Sequence, residues 1–173
     1  RTHRSAMKLN SLFAHWISRS FTAFLAFAMI SMAQGQVIHN IADGDLTACD
    51  GAIVDSGGEG GPGYGNNESH TATICPGTPG EGISLNFIMF NLSTAAPAPL
   101  DQLTVYDGDN TGAPVIGTYT GTELQGQIVF ASATNPTGCL TLFFTSNANG
   151  TGTFAASITC YTPCIPPDAV AQM

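Results

Sequence analysis

The sequence predicts an all-β fold, an antiparallel β-sandwich or jelly roll, preceded by a signal-peptide helix. Three observations carry this expectation. Short runs of residues alternate apolar and polar with a period of two. Clusters of Gly, Pro, Asn and Asp separate these runs at short intervals, as hairpins and crossovers require. The one stretch of different character is an apolar leader near the N-terminus.

The leader comes first. Met7 is the natural start, so residues 1–6 read as upstream translation. Lys8 and Arg19 supply a positive n-region, and Phe21 to Met32 is an apolar run of twelve residues. Ala33-Gln34-Gly35 offers a small-x-small cleavage pattern, with Ser31-Met32-Ala33 as the alternative. The run is shorter than the roughly 20 residues a membrane span needs. No transmembrane span is expected in the mature chain, and the expected location is secreted or cell-surface. The lone tryptophan, Trp16, belongs to the leader. The mature chain therefore offers no indole platform for sugar.

The strands follow in order. Val37–Ile41 and Ala52–Asp55 are short candidates, and Thr71–Cys75 is Thr-rich and extended. Ile83, Leu85 and Phe87 alternate with Ser84 and Asn86. Leu103 and Val105 alternate with Gln102 and Thr104. Pro114–Tyr119 and Gln127–Ala131 come next. Leu140, Leu142 and Phe144 share one face while Thr141 and Thr145 point away. Phe154, Ala156, Ile158 and Cys160 repeat the pattern. Turns are expected at Asp43-Gly44-Asp45, 57–65, Asp107-Gly108-Asp109-Asn110 and 147–152. Cys160 to Pro167 reads as a domain end running into a stiff linker. The expected organisation is residues 1–35 as upstream segment and signal peptide, 36–161 as the sandwich, and 162–173 as a Pro-rich linker. The chain is expected to be a fragment of a longer exported protein.

Charge is distributed unevenly. The chain has 173 residues, four Lys+Arg and twelve Asp+Glu, for a formal net charge of -8. The basic residues Arg1, Arg4, Lys8 and Arg19 all precede the acids, which run from Asp43 to Asp168. Without the leader, the side chains carry the charge of twelve acids and no Lys or Arg. Such a surface has nothing to hold phosphate backbones, which excludes nucleic acid as a partner. P-loop lysines, arginine fingers and Schiff-base lysines are excluded with it. A divalent cation would relieve the mutual repulsion of so many carboxylates.

Five cysteines lie downstream of the leader: Cys49, Cys75, Cys139, Cys160 and Cys164. In an exported chain they read as disulfides. Cys49–Cys75 would close the loop that holds the Gly-rich stretch, and Cys139–Cys160 would face each other across a hairpin. Four cysteines allow three connectivities, so other pairings stay open. Cys164 is left over and is assigned a partner beyond the chain. No C-x-x-C and no histidine beside a cysteine argues for zinc.

Enzymatic signatures are missing from the sequence. There is no H-E-x-x-H, G-x-S-x-G or Walker pattern. His39 and His70 read as surface histidines. Glu59 within the Gly57–Gly63 run would repel a phosphate. Asp107-Gly108-Asp109-Asn110-Thr111-Gly112 copies half of an EF-hand loop, but Thr118 stands where the bidentate Glu belongs. A plain hairpin turn is the better reading. Three N-x-[ST] matches, at Asn67, Asn91 and Asn149, read as chance.

Taken in order, these pieces resemble a CUB domain. Cys49, Gly51 to Ser56, Gly63 to Glu68 and Cys75 are similar to the family's first disulfide segment. Ile83 to Leu92 resembles its long strand. Asp101-Gln102-Leu103-Thr104-Val105-Tyr106-Asp107-Gly108 resembles the D-x-[LV]-x-V-x-D-G motif, the most specific piece. Ile116 to Gly121 resembles a segment that usually carries a cysteine, here Thr120. Leu140–Asn147 and Gly152–Ala156 resemble the closing hairpin. The likeness spans Cys49 to Cys160. In the style of Asp55-Ser56-Gly57-Gly58 and the Pro-Cys tail it resembles the bacterial branch, found in surface proteins of gliding bacteria. It implies a sandwich of CUB type and a non-catalytic binding or adhesion module of a larger protein, with an extracellular protein or glycan as ligand. An accessory domain of a secreted hydrolase such as a peptidase, or a carbohydrate-binding jelly roll, are the alternatives.

The resemblance also implies Ca²⁺ as a cofactor. The family positions for its ligands match Ser93, Asp101 and Asn147. Glu68 stands where a family Tyr does and offers a carboxylate from another loop. Glu68, Asp101 and Asn147 are therefore the expected metal ligands.

Overall fold

A computed structural model describes residues 36–163. The proposed signal peptide and the stretch from Cys164 onward lie outside the described residues.

Among the described residues, ten strands form two five-stranded sheets. In chain order they are β1 (Ile38–Asn40), β2 (Leu46–Thr47), β3 (Ala52–Val54), β4 (Ser69–Cys75) and β5 (Gly82–Asn91). Then come β6 (Gln102–Tyr106), β7 (Val115–Tyr119), β8 (Ile128–Phe130), β9 (Leu140–Thr145) and β10 (Thr153–Tyr161). One sheet has the order β1-β3-β10-β5-β8 and the other β2-β4-β9-β6-β7. Each expected strand is present, and the two-residue β2 is an addition. It escapes sequence reading because two residues carry no period.

The period-two pattern decides which side chains go inside. Leu85 and Phe87, Leu103 and Val105, Leu140, Leu142 and Phe144, and Phe154, Ala156 and Ile158 are all buried between the sheets. Aromatic rings form a line through this core, with Phe144–Phe154 centroids 5.5 Å apart and Phe87–Phe90 also 5.5 Å apart. Tilted and edge-on contacts of this kind suit the quadrupole of the rings. Thr141 points to the outer face as expected but is fully buried there. Its hydroxyl donates to the Gly108 carbonyl at 2.9 Å and pairs with the Thr73 hydroxyl at 3.1 Å, so burial leaves it satisfied.

The sheets are mixed, which corrects the antiparallel expectation. β1 pairs with β3 in parallel, and so does β2 with β4. The reason is the path of the chain. It leaves β1, turns through a 3-10 helix (Ile41–Asp43), forms β2 in the other sheet, and crosses back to β3. A strand re-entered through such a crossover runs in its original direction.

The disulfide pairing also differs from the expectation. The bonds are Cys49–Cys160 and Cys75–Cys139. Cys139 and Cys160 do bracket two successive strands, but β9 and β10 belong to different sheets. The connection between them is a sheet-to-sheet crossover, so the cysteines never meet across a hairpin. Strand register accounts for the observed pairs. Ile74 faces Leu140, so Cys75 faces Cys139 one step further along. Ala52 faces Ser157, and the same register continued brings Cys49 opposite Cys160.

Both disulfides lie at one end of the sandwich. The other end gathers the 55–68 loop, the 92–101 loop and the 146–152 crossover, and two glycines let these segments touch. Gly63 has φ +87°, and any Cβ there would strike the Gly152 carbonyl. A Cβ on Gly152 would strike the Asn91 carbonyl and lie 2.7 Å from the Tyr64 hydroxyl.

Candidate functional site

The loop end is organised around Asp101, which is wholly buried at the start of β6. One carboxylate oxygen accepts from the Tyr64 hydroxyl at 2.8 Å. The other accepts from the backbone N–H of Asn147 at 2.7 Å. Tyr64 in turn accepts from the Ser93 N–H at 2.8 Å, and its ring packs on Phe144 with centroids 4.6 Å apart. One buried carboxylate and one phenol thus join three loops. Burial, reinforced by the neighbouring Asp101 carboxylate, pushes the Tyr64 hydroxyl well above its usual range.

Asn147 extends the network. Its side-chain Nδ2 lies 2.8 Å from the Ala95 carbonyl oxygen, 2.8 Å from that of Pro97 and 3.2 Å from that of Pro99. Its Oδ1 accepts from the Asn149 N–H at 2.8 Å, and its carbonyl accepts from the Asn67 N–H at 2.8 Å. Asn149 Nδ2 donates to the Ala96 carbonyl at 2.8 Å. Two amide side chains therefore satisfy four carbonyls of a loop that has no strand of its own.

Glu68 belongs to a separate cluster on the same end. Its carboxylate accepts from the Gly65 N–H at 2.7 Å and from the Ser56 hydroxyl, and His70 Nε2 lies 3.3 Å away. Its own N–H donates to the Ser146 hydroxyl at 2.9 Å. Its loop is therefore tied to the crossover, but its carboxylate serves the 56–70 segment.

A family model described as the CUB domain matches residues 49–157. The chain belongs to the CUB domain family. Solved structures share the fold. The full extracellular region of zebrafish Gpr126/Adgrg6 matches with 19% identity over 73% of this chain and a TM-score of 0.52. The CUB1-EGF-CUB2 domains of rat MASP-1 match with 22% identity over 71% of this chain and a TM-score of 0.50. The MASP-1 CUB2 domain, solved bound to Ca²⁺, matches with 18% identity over 68% of this chain and 98% of its own, at a TM-score of 0.50. The chain spans 15% of the zebrafish region and 43% of the rat one.

The CUB motif D-x-[LV]-x-V-x-D-G takes on a physical meaning in this structure. Leu103 and Val105 are its core-facing residues. Asp101 pins the loop end of β6, and Asp107 pins the other. The Asp107 carboxylate accepts from the Ser132 N–H at 3.0 Å and from Asn135 Nδ2 at 2.7 Å. The 107–112 segment is the β6–β7 hairpin turn, closed by the Asp107 N–H donating to the Pro114 carbonyl at 2.8 Å. Thr120, which stands in place of a cysteine, uses its hydroxyl to donate to the Asp101 carbonyl at 2.7 Å. A hydrogen bond thus ties that segment to the start of β6.

Of the three expected calcium ligands, Asp101 and Asn147 meet, and Ser93, at the remaining family position, joins them. Ser93, Asp101 and Asn147 are linked through Tyr64 and direct hydrogen bonds, and Glu68 stands apart with its own partners. The arrangement does not fit an ion of that kind. Calcium takes 6–8 oxygens, several of them carboxylate. Here one carboxylate is present and both its oxygens face proton donors. Asn147 turns its NH₂, not its oxygen, toward the loop carbonyls. Among the described residues, three ligand atoms of His, Cys, Asp or Glu gather within 4.8 Å of one another only at Cys49, Glu81 and Cys160, where both sulfurs are disulfide-bonded.

Sequence reasoning missed Tyr64, Asn149 and Asp55 as organisers of this end. Asp55 is buried and accepts from the Gly57 N–H, the Phe154 N–H and the Thr153 hydroxyl at 2.9, 3.0 and 2.7 Å. Its position directly after an apolar strand, followed by Ser-Gly-Gly, was the available signal for a turn-capping carboxylate.

These groups predict how stability responds to pH. For Glu68, burial raises the pKa, but hydrogen bonds from Ser56 and Gly65 and the nearby His70 outweigh it, so the carboxyl sits below its usual range. For Asp107, burial again raises, and the hydrogen bonds from Ser132 and Asn135 outweigh it. A depressed folded-state pKa stabilises above the unfolded value, about 4, and that contribution is lost as pH falls through the folded value. Raised Tyr64 and Tyr161 act at the other limit. Their contribution is complete below about pH 10 and is lost as pH rises beyond it. Urea unfolding against pH is expected to show a plateau from about 5 to 9. A double change of Glu68→Gln and Asp107→Asn is expected to flatten the acid limb. An unchanged acid limb would refute the assignment.

Proposed function

We propose that residues 36–161 form a non-catalytic extracellular module that binds a protein partner through its loop end, as one unit of a larger secreted or cell-surface protein. The supporting observation is the preorganisation of that end. Loops from both sheets are locked to one another through Asp101, Tyr64, Asn147 and Asn149, while Asn66, Thr94 and Ala148 stay exposed on the outside. Loops held rigidly before binding lose little entropy on contact, which favours recognition. In the same proposal the leader up to residue 35 directs export, and the residues from Thr162 form a linker in which Cys164 pairs outside this domain. The bacterial surface-protein setting belongs to this reading as well. A partner with basic groups suits a module that has no Lys or Arg.

Site-specific photo-crosslinkers test the proposal. Probes at Asn66, Thr94 and Ala148 are expected to capture extracellular protein, and a probe at Pro79, near the disulfide end, is not. Capture from Pro79 alone would overturn the placement of the surface. Binding on a glycan array without protein capture would overturn the class of ligand.

A further inference from the structure

We infer that this protein fixes its loop end with the side-chain amide of Asn147 in the role that calcium would otherwise have, so that its fold is indifferent to calcium. The inference rests on the directions of the hydrogen bonds. A cation would need lone pairs pointing at a common centre. Instead the carbonyls of Ala95, Pro97 and Pro99 point at one NH₂ group, the Asn147 Nδ2, within 3.2 Å. An amide has two such protons, and the longest of the three contacts is the shared one. The Ala96 carbonyl is taken by Asn149 Nδ2. Asp101 gives both oxygens to donors. The Ser93 hydroxyl accepts from the Ala95 N–H at 3.2 Å and donates toward the Asn149 carbonyl at 3.4 Å.

The amide cannot be turned round. A flipped Asn147 would set its oxygen against three carbonyl oxygens and leave the Asn149 N–H facing an NH₂. The network therefore defines which end is nitrogen. The neutral amide also matters electrostatically. A carboxylate at position 147 would face the same three carbonyls with no proton to offer, beside the buried Asp101 carboxylate. Two like charges beside converging carbonyls repel, and near neutral pH a bound cation is the relief the geometry offers. One side-chain atom thus separates a self-sufficient loop end from a metal-dependent one.

The experiment compares the full chain with Asn147→Asp, using CaCl₂ alone as ligand and MgCl₂ as the control for screening of the acidic surface. Wild type is expected to unfold at the same temperature in EDTA and in millimolar CaCl₂, beyond any shift MgCl₂ also gives. Calorimetric titration is expected to show no saturable calcium heat. Asn147→Asp is expected to melt several degrees lower in EDTA and to recover with saturable calcium binding. Stoichiometric calcium binding by wild type would overturn the inference and restore Glu68, Asp101 and Asn147 as a metal site. So would an Asn147→Asp variant as stable in EDTA as wild type. If that variant does not fold, wild type and Asn149→Ala decide. Asn149→Ala is expected to lose a few degrees that calcium does not restore, and recovery with calcium would count against the inference. The result is independent of which partner the loops bind, so it leaves the proposed function standing or falling on its own test.

Discussion

Replacing Cys49 and Cys160 together by alanine is expected to lower the unfolding free energy by about 4–5 kcal/mol in the chain-entropy picture, since the bond closes a loop with a sequence separation of 111. That is a large part of the 5–15 kcal/mol typical of a whole domain. The structural reason for a large effect is that this bond joins the turn before β3 to the end of β10. It also ties the N-terminal strand β1, which pairs only through β3, into the sheet. Replacing Cys75 and Cys139 is expected to cost less. Their loop has a separation of 64 and lies within the larger one, so the outer bond has already removed part of its freedom. Denaturant titrations of the two double variants measure both values, and a costlier loss at Cys75–Cys139 would contradict the ordering. Non-reducing peptide mapping checks the pairing itself. A Cys49–Cys75 peptide would show that strand register does not govern oxidation here. Such a result is chemically accessible, because the Ala48 N–H already donates to the Cys75 carbonyl at 3.1 Å and the cysteines share one end of the sandwich.

Asp101→Ala is expected to cost about 3 kcal/mol, the sum of a lost charge-assisted bond and a buried Tyr64 hydroxyl left without an acceptor. The Tyr64 hydroxyl would lose its acceptor, and the Asn147 N–H would face a void. The Tyr64 ring, buried against Phe144, cannot move out to water without opening the core. Asp101→Asn is expected to cost less, about 1–2 kcal/mol, since its oxygen still accepts from Asn147 and its NH₂ can donate to the Tyr64 oxygen, which already accepts from Ser93, while the Tyr64 proton loses its acceptor. Thermal melts of the two variants give the comparison. Equal losses would show that the charge of Asp101, not its hydrogen-bond geometry, holds the loops. Amide exchange at Ser93, Ala95 and Asn147 adds a local readout. It is expected to accelerate in Asp101→Ala before global unfolding.

The sandwich was legible because its code is local. Alternation such as Leu103/Val105 against Gln102/Thr104 states which side chains enter the core, and the Gly- and Asn-rich breaks state where strands stop. The D-x-[LV]-x-V-x-D-G segment was legible as a family mark, and the structure shows that its two aspartates cap the two ends of one strand. The loop end was legible only in part. Asp101 and Asn147 do meet, as the family's calcium positions imply. The role of the Asn147 amide depends on the carbonyls of 95–99, some fifty positions away, and no spacing rule reaches that far. Glu68 is a carboxylate in the right loop, but Ser56 and Gly65 engage it locally.

The sequence by itself determined the all-β class, the strand faces, the acidic and Lys- and Arg-free character of the domain, and which four cysteines within it are oxidised. Only the tertiary structure decided the disulfide partners, the parallel edges and the donor-rich character of the loop end. A period of two says which way a side chain points but not which sheet its strand joins. β9 and β10 follow one another in the chain, yet they lie in opposite layers, and that single crossover rearranged every cysteine pair and set Asn147 against the proline-rich loop.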